Sequence, residues 1–322
     1  MFPSKESLTI CFAHAAYRMK DRFEARQTGM RNFEVRAFDD LQKRVGEADV
    51  VVVSGMWKNE LIPHAGKLKF IQSISSGMDQ YSKEQLAARS VRLCSAAGVN
   101  ARAVAEHAIS LILAMARRLP EARDNQHKKV WRGMLGDLTQ REDELGGKTL
   151  LVVGMGRIGA HLAKLARAFD MKVIGIRRDP KQGGNGTDSI HGMADLVRLV
   201  PQADYVALTC ALTPETTGLM GAAAFAAMKP SAVFVNVARG KVADEAALTA
   251  TMQAGKIWGA ALDVTADEPL PATSPLWTMP NVFITPHTAG ETRAYEDNVL
   301  DILMENLGRL WKGETSLRNQ VL

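Results

Sequence analysis

The stretch Thr149-Leu150-Leu151-Val152-Val153-Gly154-Met155-Gly156-Arg157-Ile158-Gly159 decides the fold class. Its first five residues read as a buried strand, a Gly-x-Gly-x-x-Gly loop follows at once, and an amphipathic helical pattern runs on to about Phe169. A second strand, 172–176, comes next. In such a βαβ unit the three glycines have separate tasks. Gly154 permits the tight turn, Gly156 lets a pyrophosphate approach the backbone, and Gly159 lets helix and strand pack closely. The helix start supplies N–H donors and the positive end of a dipole. The hexapeptide alone is weak evidence, but its place between strand and helix favours dinucleotide binding over a structural turn.

Working outward, the alternation continues on both sides. Beyond the 183–186 turn, the segments 206–208, 233–237, 259–263 and 282–285 read as strands with helical material between them. On the N-terminal side, 8–13, 50–53, 70–74 and 91–94 are short apolar or β-branched runs, as parallel strands covered on both faces require. Residues 101–119 keep a helical period through Val104, Ala108, Leu111, Ile112, Met115 and Leu119, and 295–310 do so through Val299, Leu300, Leu303, Leu307 and Leu310. The fold class expected is α/β with two doubly wound parallel-sheet domains. The first long helix joins the domains and the second returns the chain to the first, making that domain discontinuous.

The 322 residues match a two-domain length, and 46% hydrophobic with 23% charged is a globular composition. Cys11, Cys94 and Cys210 are odd in number and widely spaced, which argues against a disulfide framework or a thiolate zinc site and suits a cytoplasmic setting. Residues 1–10 carry Lys5 and Glu6 and no apolar core, so a secretory signal is not expected there, and the longest apolar run, 108–116, is too short to span a bilayer. Lys and Arg number 40 against 35 Asp and Glu, without a basic block, so neither nucleic acid nor membrane is the expected partner.

Candidate chemistry gathers at strand ends, where open α/β sheets build their sites. The second strand ends in Arg177 and Arg178, where an acid would accept hydrogen bonds from an adenosine ribose; guanidinium groups there favour a 2′-phosphate, with Arg177 the first candidate and Arg178 the second. Asn236-Val237-Ala238-Arg239-Gly240 offers a guanidinium able to clamp a substrate carboxylate. Asp263 opens a segment that reaches Glu268-Pro269, and Thr285-Pro286-His287 follows the last strand. Glu268 and His287 are a plausible acid–base pair, the carboxylate holding the imidazole protonated and oriented. His14, His64, His107, His127, His161 and His191 lie outside comparable constellations and take structural readings. None is spaced as a metal site, and no metal is expected.

With these residues assembled, the chain resembles the D-isomer-specific 2-hydroxyacid dehydrogenase family. The likeness rests on Ser75-Ser76-Gly77-Met78-Asp79, on Asn100 with Val104-Ala105-Glu106-His107, and on Gly147-Lys148-Thr149 before the glycine loop. It extends through Thr213-Pro214-Glu215-Thr216-Thr217-Gly218 to the ordered Arg239, Glu268 and His287 segments, covering about 49–310. The resemblance implies a Rossmann cofactor domain, 101–287, inserted into a flavodoxin-like substrate domain, 1–100 plus 288–322, in a homodimer. It implies that Arg239 binds the substrate carboxylate and 2-oxo group, that His287 is the general acid and that Glu268 is its partner. Backbone amides at Ser76 and Gly77 would hold the carboxylate from the other domain. Asp263 corresponds to the carboxylate near the nicotinamide amide, while Arg157, Ile158, Val237, Ala238 and the Cys210 backbone line the cofactor site with Gly154, Gly156 and Gly159.

Two departures from the family pattern stand out. Arg177 replaces the acid of NAD-using members, so NADP(H) is preferred, with NAD(H) the alternative. Met78-Asp79-Gln80 replaces the usual Val-Asp-Asn, leaving the substrate side chain unassigned. The activity implied is hydride transfer between a nicotinamide cofactor and a small 2-oxo acid or D-2-hydroxy acid, such as glyoxylate or hydroxypyruvate. The alternative is a nucleotide-sensing, corepressor-like binding protein, which would not need the acid–base pair. Formate and phosphite oxidation fit less well, because the related formate enzymes carry Gln where Glu268 stands and the phosphite enzymes carry Lys in the 75–79 loop.

Overall fold

A computed structural model describes residues 2–78, 80–184 and 186–322; Asp79, expected in the substrate loop, and Asn185, in the 183–186 turn, lie outside the described residues. The chain divides into two compact units, Met1–Asn100 with Thr292–Leu322, and Ala101–Glu291.

The first unit is built on β1 (Thr9–Ala13), β2 (Arg31–Val35), β3 (Val50–Val53), β4 (Phe70–Ser73) and β5 (Arg92–Cys94). Its sheet has the order β2-β1-β3-β4-β5, with every pairing parallel, which is the flavodoxin-like order. All four valines of β3 are buried, as expected for a strand covered on both faces. One cover is made by Met19 and Phe23 with Val299, Leu300, Leu303 and Leu307, and the other by Leu41, Trp57, Leu61 and Leu86. Asn306 is buried in the first cover, yet its Nδ2 donates to Gln72 Oε1 at 3.2 Å and its Oδ1 accepts from Arg318 N at 2.7 Å. Asn306 is therefore matched rather than orphaned.

The second unit contains β6 (Thr149–Val153), β7 (Lys172–Ile176), β8 (Ser189–His191), β9 (Tyr205–Leu208), β10 (Val233–Asn236), β11 (Gly259–Leu262) and β12 (Val282–Ile284). The sheet order is β12-β11-β10-β9-β6-β7-β8, again parallel throughout. The chain lays β7 and β8 on one side of β6 and then crosses to β9 on the other, so the strand order reverses between β6 and β9. In an open α/β sheet that reversal leaves a crevice at the carboxyl ends of the strands.

The strands missing from the sequence reading are β2 and β8, whose sequences Arg-Asn-Phe-Glu-Val and Ser-Ile-His are partly exposed at sheet edges and lack an apolar run. The expected helix 101–119 is also corrected. It ends at Ala116, Arg118 turns left-handed at φ +49°, and a separate helix covers Leu119–His127. Pro120 has no N–H to return to the preceding turn, so one continuous helix cannot pass through it.

At the reversal point the loops after β6 and β9 are pressed together. Gly154 has φ +112°, and a Cβ there would lie 2.4 Å from Cys210 N. Gly154→Ala is therefore strained in both backbone and packing, and we expect it to destabilise the protein by about 1–3 kcal/mol. By contrast, a Cβ at Gly156 would meet nothing within 4 Å, so Gly156→Ala should lose less than about 1 kcal/mol. Urea unfolding monitored by far-UV circular dichroism tests the ranking, which is wrong if both variants unfold at the same midpoint.

Candidate active site

The glycine loop is shaped as the sequence demands. Gly154 N and Met155 N both donate to Ile176 O, at 2.8 and 3.0 Å, and Thr209 Oγ1 donates to Gly154 O at 2.8 Å. Gly156 caps the helix Arg157–Ala168. A Cβ at Gly159 would stand 2.5 Å from Gly154 O, so this helix meets the loop backbone directly. Steric room exists at Gly156 alone of the three glycines. This is a cradle closed by packing on two sides and open where a pyrophosphate needs the backbone.

The second strand ends differently from the simplest expectation. Arg177 is half-buried; its Nη1 donates to Gly183 O at 2.6 Å and its Nη2 to Gln182 Oε1. Its guanidinium is committed to the turn beside it. Arg178 is exposed. The Glu215 carboxyl is held below its ordinary value chiefly by hydrogen bonding to Thr213 and by its own backbone, with the Arg178 charge adding to the effect.

Arg239, Glu268 and His287 occupy the ends of three neighbouring strands, β10, β11 and β12. Arg239 is exposed, with Nη1 on Ala238 O at 2.6 Å. The turn beneath it is fixed by buried Asn236, whose Oδ1 accepts from Ala238 N at 3.0 Å while Nδ2 donates to Arg239 O at 3.2 Å. Gly240 brings this turn against the next one, since a Cβ there would fall 1.9 Å from the Thr265 carbonyl. Glu245 Oε2 accepts from Ala266 N at 2.7 Å and holds the Thr265–Glu268 side of the junction. Val237 and Ala238, in the same turn, are buried in different apolar clusters of the unit.

Glu268 Oε2 lies 2.6 Å from His287 Nδ1, and Glu268 Oε1 accepts from Thr265 N at 3.2 Å. Nδ1 is thus occupied and Nε2 is left for another partner. Both side chains are about two-fifths exposed, 43% and 37%, so the pair adds little to stability and its consequence is orientation of the ring.

His287 itself has φ +55°, a left-handed backbone uncommon for a residue with a Cβ. Its N–H donates to Asp263 O at 2.8 Å. The Asp263 carboxylate, 2% exposed, holds the rest of the segment: Oδ1 accepts from Thr285 Oγ1 at 2.6 Å and Thr288 N at 3.0 Å, and Oδ2 accepts from Ala289 N at 3.1 Å. His107, read from sequence as structural, reaches this cluster with Nε2 at 2.9 Å from Thr285 Oγ1. The sequence reading assigned no role to Asn236 or Gly240, which lie within a segment it singled out, and missed Glu245, five residues beyond that segment. Ser76 and Gly77 belong to the first unit, in the segment after β4, where Ser75 Oγ donates to Gly77 O at 3.0 Å. Among the described residues, no three His, Cys, Asp or Glu side chains converge as metal ligands, and no helix is long and apolar enough to cross a membrane.

Fold and strand-end chemistry together define a class, and comparison with known proteins agrees: residues 109–289 match the model of the D-isomer specific 2-hydroxyacid dehydrogenase, NAD binding domain. The chain belongs to the D-isomer specific 2-hydroxyacid dehydrogenase family, a family of nicotinamide-dependent oxidoreductases. Among individual relatives, it is 36% identical over 274 residues to glyoxylate/hydroxypyruvate reductase B of Citrobacter koseri, covering 84% of this chain and 82% of the relative. It is 35% identical over 285 residues to D-3-phosphoglycerate dehydrogenase of Methanocaldococcus jannaschii; that match takes in 86% of this chain but spans only 52%, about half, of the relative. A D-isomer specific 2-hydroxyacid dehydrogenase family protein from Aeromonas salmonicida superposes with a TM-score of 0.84 at 30% identity, covering 98% of this chain and 99% of that one.

Cys210 meets Gly154 through its backbone, and burial pushes its thiol up to about 11. Thiolate therefore accumulates only as the pH nears that value. We expect Cys210 alkylation by iodoacetamide, followed by peptide mass spectrometry, to accelerate about tenfold per unit between pH 8 and 10. A plateau near pH 9 would contradict the buried-thiol assignment.

Proposed function

We propose that the chain reduces small 2-oxo acids, such as glyoxylate or hydroxypyruvate, to D-2-hydroxy acids with NADPH as the preferred cofactor. The observation that carries this reading is the 2.6 Å Glu268–His287 contact, at a strand end two places from Arg239 and in the same sheet as the open glycine cradle. A binding protein has no use for such a pair, whereas carbonyl reduction needs a proton donor beside a carboxylate clamp.

The cradle residues Gly154, Gly156 and Gly159, with Arg157 and Ile158 at the helix start, would hold the pyrophosphate. Val237, Ala238 and the Cys210 backbone would form the adjoining wall, with Asp263 as the family's carboxylate on the nicotinamide side. Bound NADPH supplies the hydride. Arg239 binds the substrate carboxylate and polarises the 2-oxo group. His287 donates a proton from Nε2 to the developing alkoxide, while Glu268 stabilises the charged ring through Nδ1. Ser76 and Gly77 contribute backbone N–H groups to the carboxylate. Free thiols at Cys11, Cys94 and Cys210 suit a reducing, cytoplasmic setting.

His287→Ala should lower kcat by about a hundred- to ten-thousand-fold, the range for loss of a general acid. Arg239→Ala should raise KM as well as lower kcat, because the clamp acts on bound substrate and transition state alike. Steady-state rates with glyoxylate and hydroxypyruvate check both. Unchanged kcat in folded His287→Ala protein would remove the residue from the mechanism.

For cofactor choice, Arg178 replaces Arg177 as the leading phosphate contact, since Arg177 is tied to Gln182 and Gly183. A charge-assisted bond to the 2′-phosphate contributes about 1.5–3 kcal/mol, or roughly one to two decades in affinity. Arg178→Ala should therefore lower kcat/KM for NADPH about 10- to 100-fold and leave that for NADH nearly unchanged. Wild-type preference for NADH would refute the assignment.

The same reading includes a homodimer. Trp131 and Met134 are 98% and 99% exposed and Leu138 is 74% exposed, all on the second unit. So large an apolar display suits a second copy of the chain. Light scattering should give twice the monomer mass, falling toward one in Trp131→Ser/Met134→Ser; a wild-type monomer at micromolar concentration would contradict it.

A further inference from the structure

We propose that His107 is a positioning residue for the general acid, acting through Thr285 and Asp263 on the segment that carries His287. This rests on the reductase reading and extends it to a residue outside the Arg239, Glu268 and His287 set, one whose recorded contacts are Thr285 and Asp263.

Proton accounting carries the argument. A hydroxyl has one proton, and Thr285 commits it to Asp263 Oδ1 at 2.6 Å, a charge-assisted contact. Toward His107 the Thr285 oxygen can then only accept, so His107 Nε2 bears a proton and donates it at 2.9 Å. The same Nε2 lies 3.4 Å from Asp263 Oδ1. Among the described residues no Lys or Arg pairs with this buried carboxylate, and His107 is the one basic side chain within ion-pair distance. A buried anion without a cation needs converging donors to stay in place. Asp263 receives them from Thr285, Thr288 and Ala289, with His107 backing the first.

The consequence reaches His287 through the backbone. Thr285 and Thr288 bracket it on one carboxylate oxygen, and its own N–H is on Asp263 O. These bonds hold the φ of +55° that sets the ring against Glu268. His107 sits on the helix Ala101–Ala116, whose Val104 and Leu111 pack in an apolar cluster with Leu150, so its donor is presented from a rigid element. Loss of that donor leaves Thr285 free to rotate its proton away from Asp263 and loosens the bracket.

The test compares His107→Phe and Thr285→Val, which lack the donor or the hydroxyl, with His107→Gln and Thr285→Ser, which restore them. For 2-oxo acid reduction, kcat should fall about 10- to 100-fold in the first pair, with cofactor KM within threefold of wild type. The second pair should recover most of the loss, and His107→Phe/Thr285→Val should be no worse than either single variant. In protein labelled with carbon-13 at histidine Cε1, the His287 resonance, identified by its absence in His287→Gln, should shift in the first pair and return in the second. Wild-type kcat in His107→Phe, or additive losses in the double variant, would overturn the inference. If His107→Phe does not fold, Thr285→Val and Thr285→Ser decide it by the same criteria. Should wild type reduce no 2-oxo acid, the reductase reading fails separately, and an unmoved His287 resonance in Thr285→Val then overturns the positioning role on its own.

Discussion

The carboxylate of Asp263 is the point on which the second unit's chemistry hangs. It is almost fully buried and accepts from one hydroxyl and two backbone amides of the segment just beyond β12. A charge placed in so apolar a setting is costly unless donors converge on it, and here they all come from the residues flanking His287. The electrostatic requirement of one side chain thereby becomes a geometric constraint on another. His287 is held in a left-handed backbone that an isolated peptide would rarely adopt, and residues in such conformations persist only where their surroundings over-determine them.

Around that clasp, the parallel sheet does the rest by bringing successive strand ends side by side. β10, β11 and β12 deliver a guanidinium, a carboxylate and an imidazole in spatial order, although 48 residues separate Arg239 from His287 in sequence. Close backbone approaches lock the turns together: Gly240 against Thr265, and Gly154 against Cys210. At each of these places a methyl group has no room, so glycine is a packing requirement there as much as a conformational one.

Much of this was legible in the sequence because it depends on local pattern. The buried strands β3 and β6, the glycine loop and the strand-end segments announce themselves through β-branched runs and turn residues. The edge strands β2 and β8 did not, because a half-exposed strand needs no continuous apolar run. The break at Arg118 escaped because apolar periodicity carries across it to Leu119, and only Pro120 hinted at the stop. Arg177 and Arg178 are adjacent in sequence, where Arg177 is the first candidate; the hydrogen bonds to Gln182 and Gly183 separate them in space. His107 was invisible as a partner of Asp263, since 155 residues lie between them and its apolar helix gives a histidine an ordinary structural explanation.

The most direct test of the account is the initial rate of NADPH oxidation by the wild-type protein with glyoxylate and hydroxypyruvate, set against glycolaldehyde, which has a carbonyl but no carboxylate for Arg239 to clamp. The account predicts turnover with the two acids, a D-configured product from hydroxypyruvate, and at least a hundredfold lower kcat/KM for the aldehyde, equivalent to about 2.7 kcal/mol of clamp energy. Equal rates with acid and aldehyde, or no oxidation with either acid under conditions where the folded protein binds NADPH, would contradict it.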